Sequence, residues 1–414
     1  MRTIYRRFAA AVSAVTLGAL LLVIYVQKTI PDRFTLVQGE ELKVTSVFDI
    51  QTVYKGKSNN PDAYSVAGNS YQLDLRMLGG LNVKTVQVDV VERKTVIPAG
   101  TPFGIKMFTK GVIVVGLTDI PCNGVRMNPA KDAGLKLGDI ILAIDGVEVT
   151  GNKQVGSLVS QSGGSPMRLK AQRGDSVYNL TLQPVQSDND GLYRAGIWVR
   201  DSSAGIGTMT YYDPANGLFT GLGHAICDVD TGEIMPLNKG QIVDVDITGV
   251  IRGEEGSPGE LHGSFVNDTV TGELWANTQT GVYGRLSAGV LNDEVWNRAV
   301  PVAQRYEVRP GEATILTTID SDTPKEYSIC IEKVDISDQS PTKNMVIRVT
   351  DPELLAAAGG IVQGMSGSPI LQNGMLVGSV THVFVNDPTR GFGIFAENIY
   401  SGANSVYLQL SQAS

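Results

Sequence analysis

The fold is decided by residues 364–387, which read GMSGSPILQNGMLVGSVTHVFVND. Two glycines accompany two serines ahead of Pro369, a composition typical of a sharp turn. Asn373 and Gly374 then lie between two apolar runs, which predicts a two-residue β-hairpin. The stretch predicts a tight bend followed by two antiparallel strands. It leaves open whether the bend is an ordinary surface turn or presents a nucleophilic serine.

Length and composition restrict the class of protein. With 414 residues, the chain exceeds the size at which one hydrophobic core stops growing, so two or more domains are expected. Charged residues make up 18%, apolar residues 42%, and there are 47 glycines, which favours turn-rich, strand-dominated domains. The net charge of −8 argues against a nucleic-acid partner. The 3 cysteines and 3 histidines are scattered without metal-ligand spacing, so we expect neither a metal nor an organic cofactor.

The start of the chain predicts a membrane anchor. Three arginines within residues 1–7 precede the uncharged run FAAAVSAVTLGALLLVIYV, which is long enough to cross a bilayer as a helix. The arginines favour a cytoplasmic amino terminus, with the remainder of the chain outside the cytoplasm. No small-x-small cleavage site follows the apolar run, so we expect an uncleaved anchor over residues 8–28 rather than a cleaved signal. Residues 29–99 alternate with period two, which predicts a β-rich segment.

A second module is predicted over residues 100–185. Its run AGLKLGDIILAIDGVEV, residues 133–149, resembles the PDZ domains of bacterial envelope proteases. The resemblance implies a groove for a peptide or a protein C-terminus, between a strand after PFGI and the helix from Lys153 to Gln161. The residues expected to form this groove are Phe103, Gly104, Ile105, Met107, Val155 and Val159. The alternative is that these residues form the core of a β-rich domain that binds nothing.

Residues 190–414 contain short strands between Gly, Asn and Asp turns, which favours a barrel or sandwich. The pattern Gly-x-Ser-Gly-x-Pro, followed by a hairpin, resembles the nucleophile region of chymotrypsin-type double-barrel serine proteases. The resemblance implies a mainly β fold with Ser366 as nucleophile and the N–H groups of Gly364 and Ser366 as oxyanion hole. Met365 and Ser368 depart from the common pattern. Among the histidines, His224 has the flanking glycines and the separation from Ser366 expected of the general base.

Three separated motifs, GLGHAI, AGGIVQGMSGSPI and THVFVNDPT, resemble the sporulation stage IV protein B peptidases. That family also has an anchor, a PDZ domain and a peptidase in this order. The resemblance places the catalytic acid at Asp351, whereas the spacing of double-barrel proteases points near Asp268. Asp351 also precedes Pro352 as a helix N-cap would.

The resemblance implies a serine endopeptidase of sporulation, exported from the forespore into the space between the two membranes. There it would cleave itself within residues 29–99 and then a membrane-bound regulator, which activates an intramembrane protease and a late mother-cell sigma factor. Its partners would be protein substrates, including itself, a PDZ ligand and the membrane. Two alternatives stay open: an inactive PDZ-containing adaptor, and a peptidase of the same family with another envelope target.

Overall fold

The computed structural model describes residues 2–42, 44, 50–54, 66–77, 80–287, 298–320 and 323–413. An apolar helix, α1 (Arg2–Thr29), begins the chain. Its segment Tyr5–Thr29 has a mean hydropathy of 2.3 and could cross a membrane by length and composition. Only its end packs on the protein, where Val26 and Ile30 are buried.

A four-stranded sheet follows the helix. Its strands are β1 (Arg33–Val37), β2 (Gln51–Tyr54), β3 (Ser70–Met77) and β4 (Leu81–Val91), in the order β1-β4-β3-β2. Period-two alternation places Leu73, Leu75, Val86 and Val88 in one core. This small module contacts the rest of the protein through Arg93, which forms ion pairs with Glu40 and Glu307.

The next strands, β5 (Thr95–Pro98) and β6 (Pro102–Leu117), lead into a compact α/β module. Its elements are β7 (Ile120–Cys122), β8 (Val125–Met127), α2 (Pro129–Asp132), β9 (Ile140–Ile144), β10 (Val147–Glu148), α3 (Asn152–Gln161), β11 (Met167–Arg173), β12 (Ser176–Leu182), β13 (Val185–Gln186) and β14 (Tyr193–Arg194). Asp145 and Gly146 have positive φ between β9 and β10, as the predicted Asp-Gly hairpin requires. Val155 and Val159 of α3 close the core of this module.

The first barrel is built from β6 together with β15 (Ile197–Tyr212), β16 (Leu218–Gly221), β17 (Leu237–Ile251), β18 (Glu260–Thr278) and β19 (Gly281–Leu286). The pairings run β6–β15–β16–β19–β18–β17 and return to β6, so the ring closes. Phe103, Ile105 and Met107 of β6 lie in its core. The α/β module is therefore inserted between two strands of this barrel, and β6 belongs to both units: its first half pairs with β15 and β17 of the barrel, and its second half with β9 of the module.

A second closed barrel follows. After β20 (Val300–Pro301), it comprises β21 (Gly311–Thr317), β22 (Lys325–Val334), β23 (Met345–Val349), β24 (Pro369–Gln372), β25 (Met375–Phe384) and β26 (Asp387–Phe395). The short helix α4 (Pro352–Ala358) interrupts it after β23, and α5 (Ala396–Ala413) ends the described chain. The Asn373-Gly374 hairpin joins β24 to β25 as predicted. Two six-stranded barrels thus lie in contact, for example where the Leu261 N–H donates to the Gln363 carbonyl, which confirms the mainly β, double-barrel prediction.

Candidate active site and peptide groove

The 364–368 bend is held between the two barrels by backbone contacts. The Thr208 N–H donates to the Ser366 carbonyl at 3.0 Å, and Thr208 Oγ1 donates to the Gly364 carbonyl at 2.8 Å. On the other side, the Gly367 N–H donates to the Val380 carbonyl at 2.8 Å. These contacts fix the bend on both sides, so the serine side chain at its tip has a defined position.

The two serines of the bend occupy different environments. Ser368 is fully buried; its Oγ donates to the Met365 carbonyl at 2.7 Å and lies in hydrogen-bond contact with Thr317 Oγ1 at 2.9 Å. Ser366 lines a cavity of about 450 Å³ between the barrels. Its Oγ donates to the Thr381 carbonyl at 2.7 Å. Accessibility therefore favours Ser366 over Ser368 as the reactive hydroxyl.

The same cavity is lined by His224 and Gly364. In the described part of the chain, the N–H groups of Gly364 and Ser366 have no recorded hydrogen-bond partner. Gly364 has a φ of +95°, a left-handed conformation that glycine adopts without strain. The predicted nucleophile, base and oxyanion-hole residues are thus brought to one place.

His224 is presented on a strained turn after β16. Leu222 and Gly223 both have left-handed backbone conformations, with φ of 65° and 68°. For a non-glycine residue such as Leu222 this conformation is strained, a feature that clusters at functional sites. A Cβ on Gly223 would lie 2.6 Å from Ser379 Oγ of the second barrel. The glycine therefore allows the histidine to approach the serine-bearing barrel closely.

Hydrogen bonding favours one tautomer of His224. Nδ1 lies 2.8 Å from the Ala225 carbonyl oxygen, which can only accept, so Nδ1 carries the proton. This leaves Nε2 free to accept a proton. Burial lowers the pKa of His224, and the Ala225 carbonyl opposes part of that shift. The imidazole is therefore neutral at physiological pH, as a general base must be.

His382 packs against the base. Its ring centroid lies 4.8 Å from that of His224, with 35° between the ring planes. Burial of the ring, together with repulsion from His224 and Lys343, lowers the pKa of His382 to about 4. The His382 ring is therefore neutral at physiological pH and adds no charge beside His224. His262 lies elsewhere, exposed on β18, where its Nε2 contacts Glu260 Oε1 at 2.9 Å.

The structure does not bring Asp351 to His224. Asp351 caps α4: Oδ1 accepts the N–H groups of Glu353 at 3.0 Å and Leu354 at 3.2 Å, while Oδ2 accepts that of Ser328 at 3.2 Å. Burial opposes ionisation, but these donors outweigh it and lower the pKa of Asp351. Among the described residues, no carboxylate is hydrogen-bonded to His224. The side chain of Asp268, the alternative acid, lies outside the described residues.

The peptide edge predicted at Phe103, Gly104, Ile105 and Met107 must be corrected. All four residues pair with β15 on one side, and Gly104, Ile105 and Met107 also pair with β17 on the other, so this part of β6 has no free backbone edge for a peptide strand. Their side chains are buried because this half of β6 belongs to the first barrel. An approaching peptide would have to displace an existing strand.

A different groove lies on the α/β module. A cavity of about 410 Å³ separates Val155, Gly156 and Val159 of α3 from residues 193–199. Residues 197–199 pair along one backbone edge with residues 114–117 of β6. Their other edge is unpaired in the described structure. Gly196, with a φ of +73°, turns the chain into this strand, and Trp198 is exposed beside it. Helix α3, predicted as one wall of the groove, lines this cavity on one side, and β15 lines it on the other.

Strand β15 connects the groove to the His224 loop. Asp201 Oδ2 accepts the N–H of Asn152, the first residue of α3, at 2.8 Å. The adjacent Arg200 forms ion pairs with buried Asp228 and, at 2.7 Å, with Asp230, in the loop after His224. Adjacent residues of one strand thus hold the groove helix and the loop of the candidate base.

The fold and the cavity define a double-barrel serine peptidase that carries a PDZ domain. The sequence profile of the SpoIVB peptidase S55 family matches residues 191–400, half of the chain, and a PDZ-domain profile matches residues 128–173. The chain belongs to the SpoIVB peptidase S55 family, as its three motifs predicted.

Partial similarities to other proteins accompany the family match. A zinc metalloprotease of Bartonella henselae is 32% identical to this chain, over 22% of this chain and 25% of the relative. A zinc metalloprotease of Clostridium perfringens is 33% identical, over 18% of this chain and 22% of the relative. The chain thus spans about a quarter of the length of these curated relatives. Among solved structures, the PDZ domain of a Listeria monocytogenes SdrC-like protein has 22% identity and a TM-score of 0.18, covering 22% of this chain and 87% of that one. The HtrA-type protease AlgW, solved with a decapeptide, has 12% identity and a TM-score of 0.30, and the match covers 53% of this chain and 55% of AlgW.

Proposed function

We propose that the protein is a membrane-anchored endopeptidase in which Ser366 is the nucleophile and His224 the general base. One observation carries the proposal: Ser366, His224 and the free N–H groups of Gly364 and Ser366 line one cavity between two barrels. His224 Nε2 would remove the hydroxyl proton as Ser366 Oγ attacks a peptide carbonyl. The two N–H groups would stabilise the oxyanion, and water would then hydrolyse the acyl-enzyme.

In the resting arrangement, the Ser366 hydroxyl donates to Thr381 rather than to His224. Attack therefore requires a rotation of the serine side chain toward Nε2. Catalytic hydrogen bonds often form only when substrate binds, so this arrangement is compatible with activity. The same arrangement is the one observation that favours the alternative, an inactive PDZ-containing adaptor, because a serine held permanently in this rotamer would be inert.

The cavity suggests which peptides are cleaved. Its described lining contains no Asp, Glu, Lys or Arg, and much of it is aliphatic: Ile105, Ile206, Leu222, Ile361, Val362, Val383 and Val385. A charged substrate side chain would be desolvated there without a partner. We therefore propose that the enzyme prefers an apolar residue beside the scissile bond.

Membership of the family supports a proposal for the physiological role. The enzyme would act in sporulation, outside the cytoplasm in the space between the forespore and mother-cell membranes, with α1 as anchor and residues 1–7 in the cytoplasm. It would cleave itself within residues 29–99 and then a membrane-bound regulator, which releases an intramembrane protease and activates a late sigma factor. The family resemblance supports these steps. The alternative is that the enzyme cleaves a different envelope protein. Identifying the uncut protein that accumulates in cells with inactive enzyme would distinguish the membrane-bound regulator from such a target.

Hydrolysis itself tests the enzyme proposal. The full-length chain in detergent micelles is expected to cleave an unfolded protein, with a rate that rises with pH as His224 loses its proton. Because burial lowers the pKa of His224, half-maximal rate should come below the ordinary imidazole value of about 6.5. His224→Ala should abolish cleavage, whereas the exposed His262→Ala should retain it. Equal rates for both variants would exclude His224 as the base.

We propose that the PDZ groove binds an extended peptide or protein C-terminus against the free edge of 197–199, with Val155 and Val159 beneath its side chains. Occupancy would restrain the peptidase or guide it to its target.

Gly156 offers a test of the groove that spares the fold. It is exposed on α3, and a Cβ there would meet nothing within 4 Å. Gly156→Leu should favour the helix by about 1 kcal/mol while filling the groove. Fluorescein-labelled random C-terminal peptides are expected to bind the wild type and to lose at least tenfold in affinity for this variant, by anisotropy. Ser157→Leu on the same helix, outside the groove lining, is the matched control. Equal binding by all three proteins would place the ligand elsewhere.

A further inference from the structure

If Ser366 is the nucleophile, as proposed, the N–H groups of Gly364 and Ser366 must point into the cavity together. Each N–H shares a planar peptide unit with the carbonyl of the preceding residue, and in a trans peptide the two groups point in opposite directions. The direction of each donor is therefore set by the groups that hold the Gln363 and Met365 carbonyls.

The two carbonyls are held from different sides. The Met365 carbonyl is held within the bend, where it accepts the Ser368 N–H at 2.9 Å. The Gln363 carbonyl is held from the first barrel, where it accepts the Leu261 N–H at 2.8 Å. The Gln363 N–H in turn donates to the Gly259 carbonyl at 2.8 Å, which completes a parallel β-bridge between the barrels. One oxyanion donor thus depends on a contact between the barrels.

The conformation of Gly364 makes this contact necessary. Its φ is +95°, and without a Cβ it adopts either sign of φ, so the residue itself does not oppose rotation of the peptide before it. A half-turn of that peptide would point the Gln363 carbonyl into the cavity and withdraw the Gly364 N–H. The Leu261 N–H opposes the rotation, because it would be left buried without its acceptor.

Leu261 is itself held in place. It is 7% exposed and packs in a core made largely of second-barrel residues, although it belongs to β18 of the first barrel. In the loop that leads into β18, the Gly253 N–H donates to the Ala358 carbonyl at 2.8 Å and the Gly256 N–H to the Val385 carbonyl at 2.9 Å. This loop is therefore attached to the second barrel at several points, which keeps Leu261 at a fixed distance from the bend.

We infer that Leu261 is a positioning residue of the active site: its N–H holds the Gln363–Gly364 peptide so that the Gly364 N–H points at the developing oxyanion. The first barrel, which carries His224, thereby also orients a donor on the second barrel. The hydrogen bond polarises the shared peptide, which strengthens the Gly364 N–H as a donor. The oxyanion hole is formed before substrate binds, so no reorganisation of its donors precedes attack.

Replacing Leu261 by the α-hydroxy analogue of leucine, introduced by nonsense suppression, tests this N–H alone. The resulting ester keeps the side chain in the core and removes a donor that points out of the β17–β18 pair, so the hairpin is retained. The same replacement at Leu137, exposed in the α/β module, introduces an identical ester and is the matched control. Inactivation of the full-length chain by a fluorophosphonate is measured as kinact and KI between pH 4.5 and 8.

For the Leu261 ester we expect kinact to fall about 10- to 100-fold at every pH, because outright removal of an oxyanion donor costs about 10²- to 10³-fold. KI should change by less than about threefold, since the donors act on charge that develops only during attack. The acid limb set by His224 should not move, and the Leu137 ester should match the wild type. A general loosening of the site would instead raise KI as well.

The inference would be overturned by a kinact within about threefold of wild type, by an equal loss in the Leu137 ester, by a change carried by KI or by a shifted acid limb. If the Leu261 ester does not fold, NMR of the wild type decides. A scalar coupling across the hydrogen bond, between the Leu261 nitrogen and the Gln363 carbonyl carbon, is expected, and its absence contradicts the inference. A wild type that folds but does not label at any pH would instead refute the proposed function.

Discussion

Replacing Ser366 by alanine should reduce peptide hydrolysis by about 10⁶-fold, the loss that follows removal of the nucleophile in other serine proteases. The fold should survive, because Ser366 is only half-buried and its Oγ makes one hydrogen bond, to the Thr381 carbonyl. Hydrolysis of an unfolded protein by the full-length chain, with thermal unfolding recorded alongside, measures both expectations.

The neighbouring serine provides the control for this variant. Ser368→Ala removes two buried hydrogen bonds, to Thr317 and Met365, and should lower the free energy of unfolding by about 1–3 kcal/mol. Its hydrolysis at low temperature should stay close to that of wild type. If Ser368→Ala loses activity while Ser366→Ala retains it, the nucleophile has been assigned to the wrong serine of the bend.

Gly367→Ala should have the largest effect on stability. Gly367 has a φ of +98°, and a Cβ there would lie 1.9 Å from the Thr208 carbonyl oxygen and 2.5 Å from the Leu222 nitrogen. Both atoms are backbone, so neither can move without shifting β15 or the turn before His224. We expect a loss of about 3–5 kcal/mol in the free energy of unfolding, by urea titration.

Gly374→Ala measures the cost of a positive φ alone, without the steric clash that Gly367→Ala would add. Gly374 has a φ of +74° in the β24–β25 hairpin, and a Cβ there would meet no atom within 4 Å. This variant should lose only about 1–2 kcal/mol, the cost of a left-handed conformation. Equal losses at the two positions would mean that the bend does not pack against the first barrel as described.

Local sequence signals predicted much of this fold. The Asn373-Gly374 and Asp145-Gly146 hairpins, the cap of α4 at Asp351 and the helix over residues 153–161 depend on residues close together in the chain. The bend at Ser366 and the turn at His224 were found for the same reason, because glycines mark both.

Contacts between distant segments were not predictable in this way. The first half of β6 reads as a single apolar strand, and only its pairing with both β15 and β17 shows that it belongs to a barrel. The strand after Gly196, which lines the proposed groove, lies within residues 190–414, the range that the sequence assigned to the peptidase. The contacts of Asn277 carry no local signal either, since its hydrogen bonds reach a loop about 50 residues earlier in the chain.

The site of covalent labelling shows whether Ser366 is a nucleophile activated by His224. The full-length chain would be reacted with a fluorophosphonate at neutral pH, digested, and mapped by mass spectrometry, with His224→Ala in parallel. We predict a single phosphonyl adduct on Ser366 in the wild type and none in His224→Ala. An adduct on Ser368 or another residue, or a folded wild type that never reacts, would contradict the account.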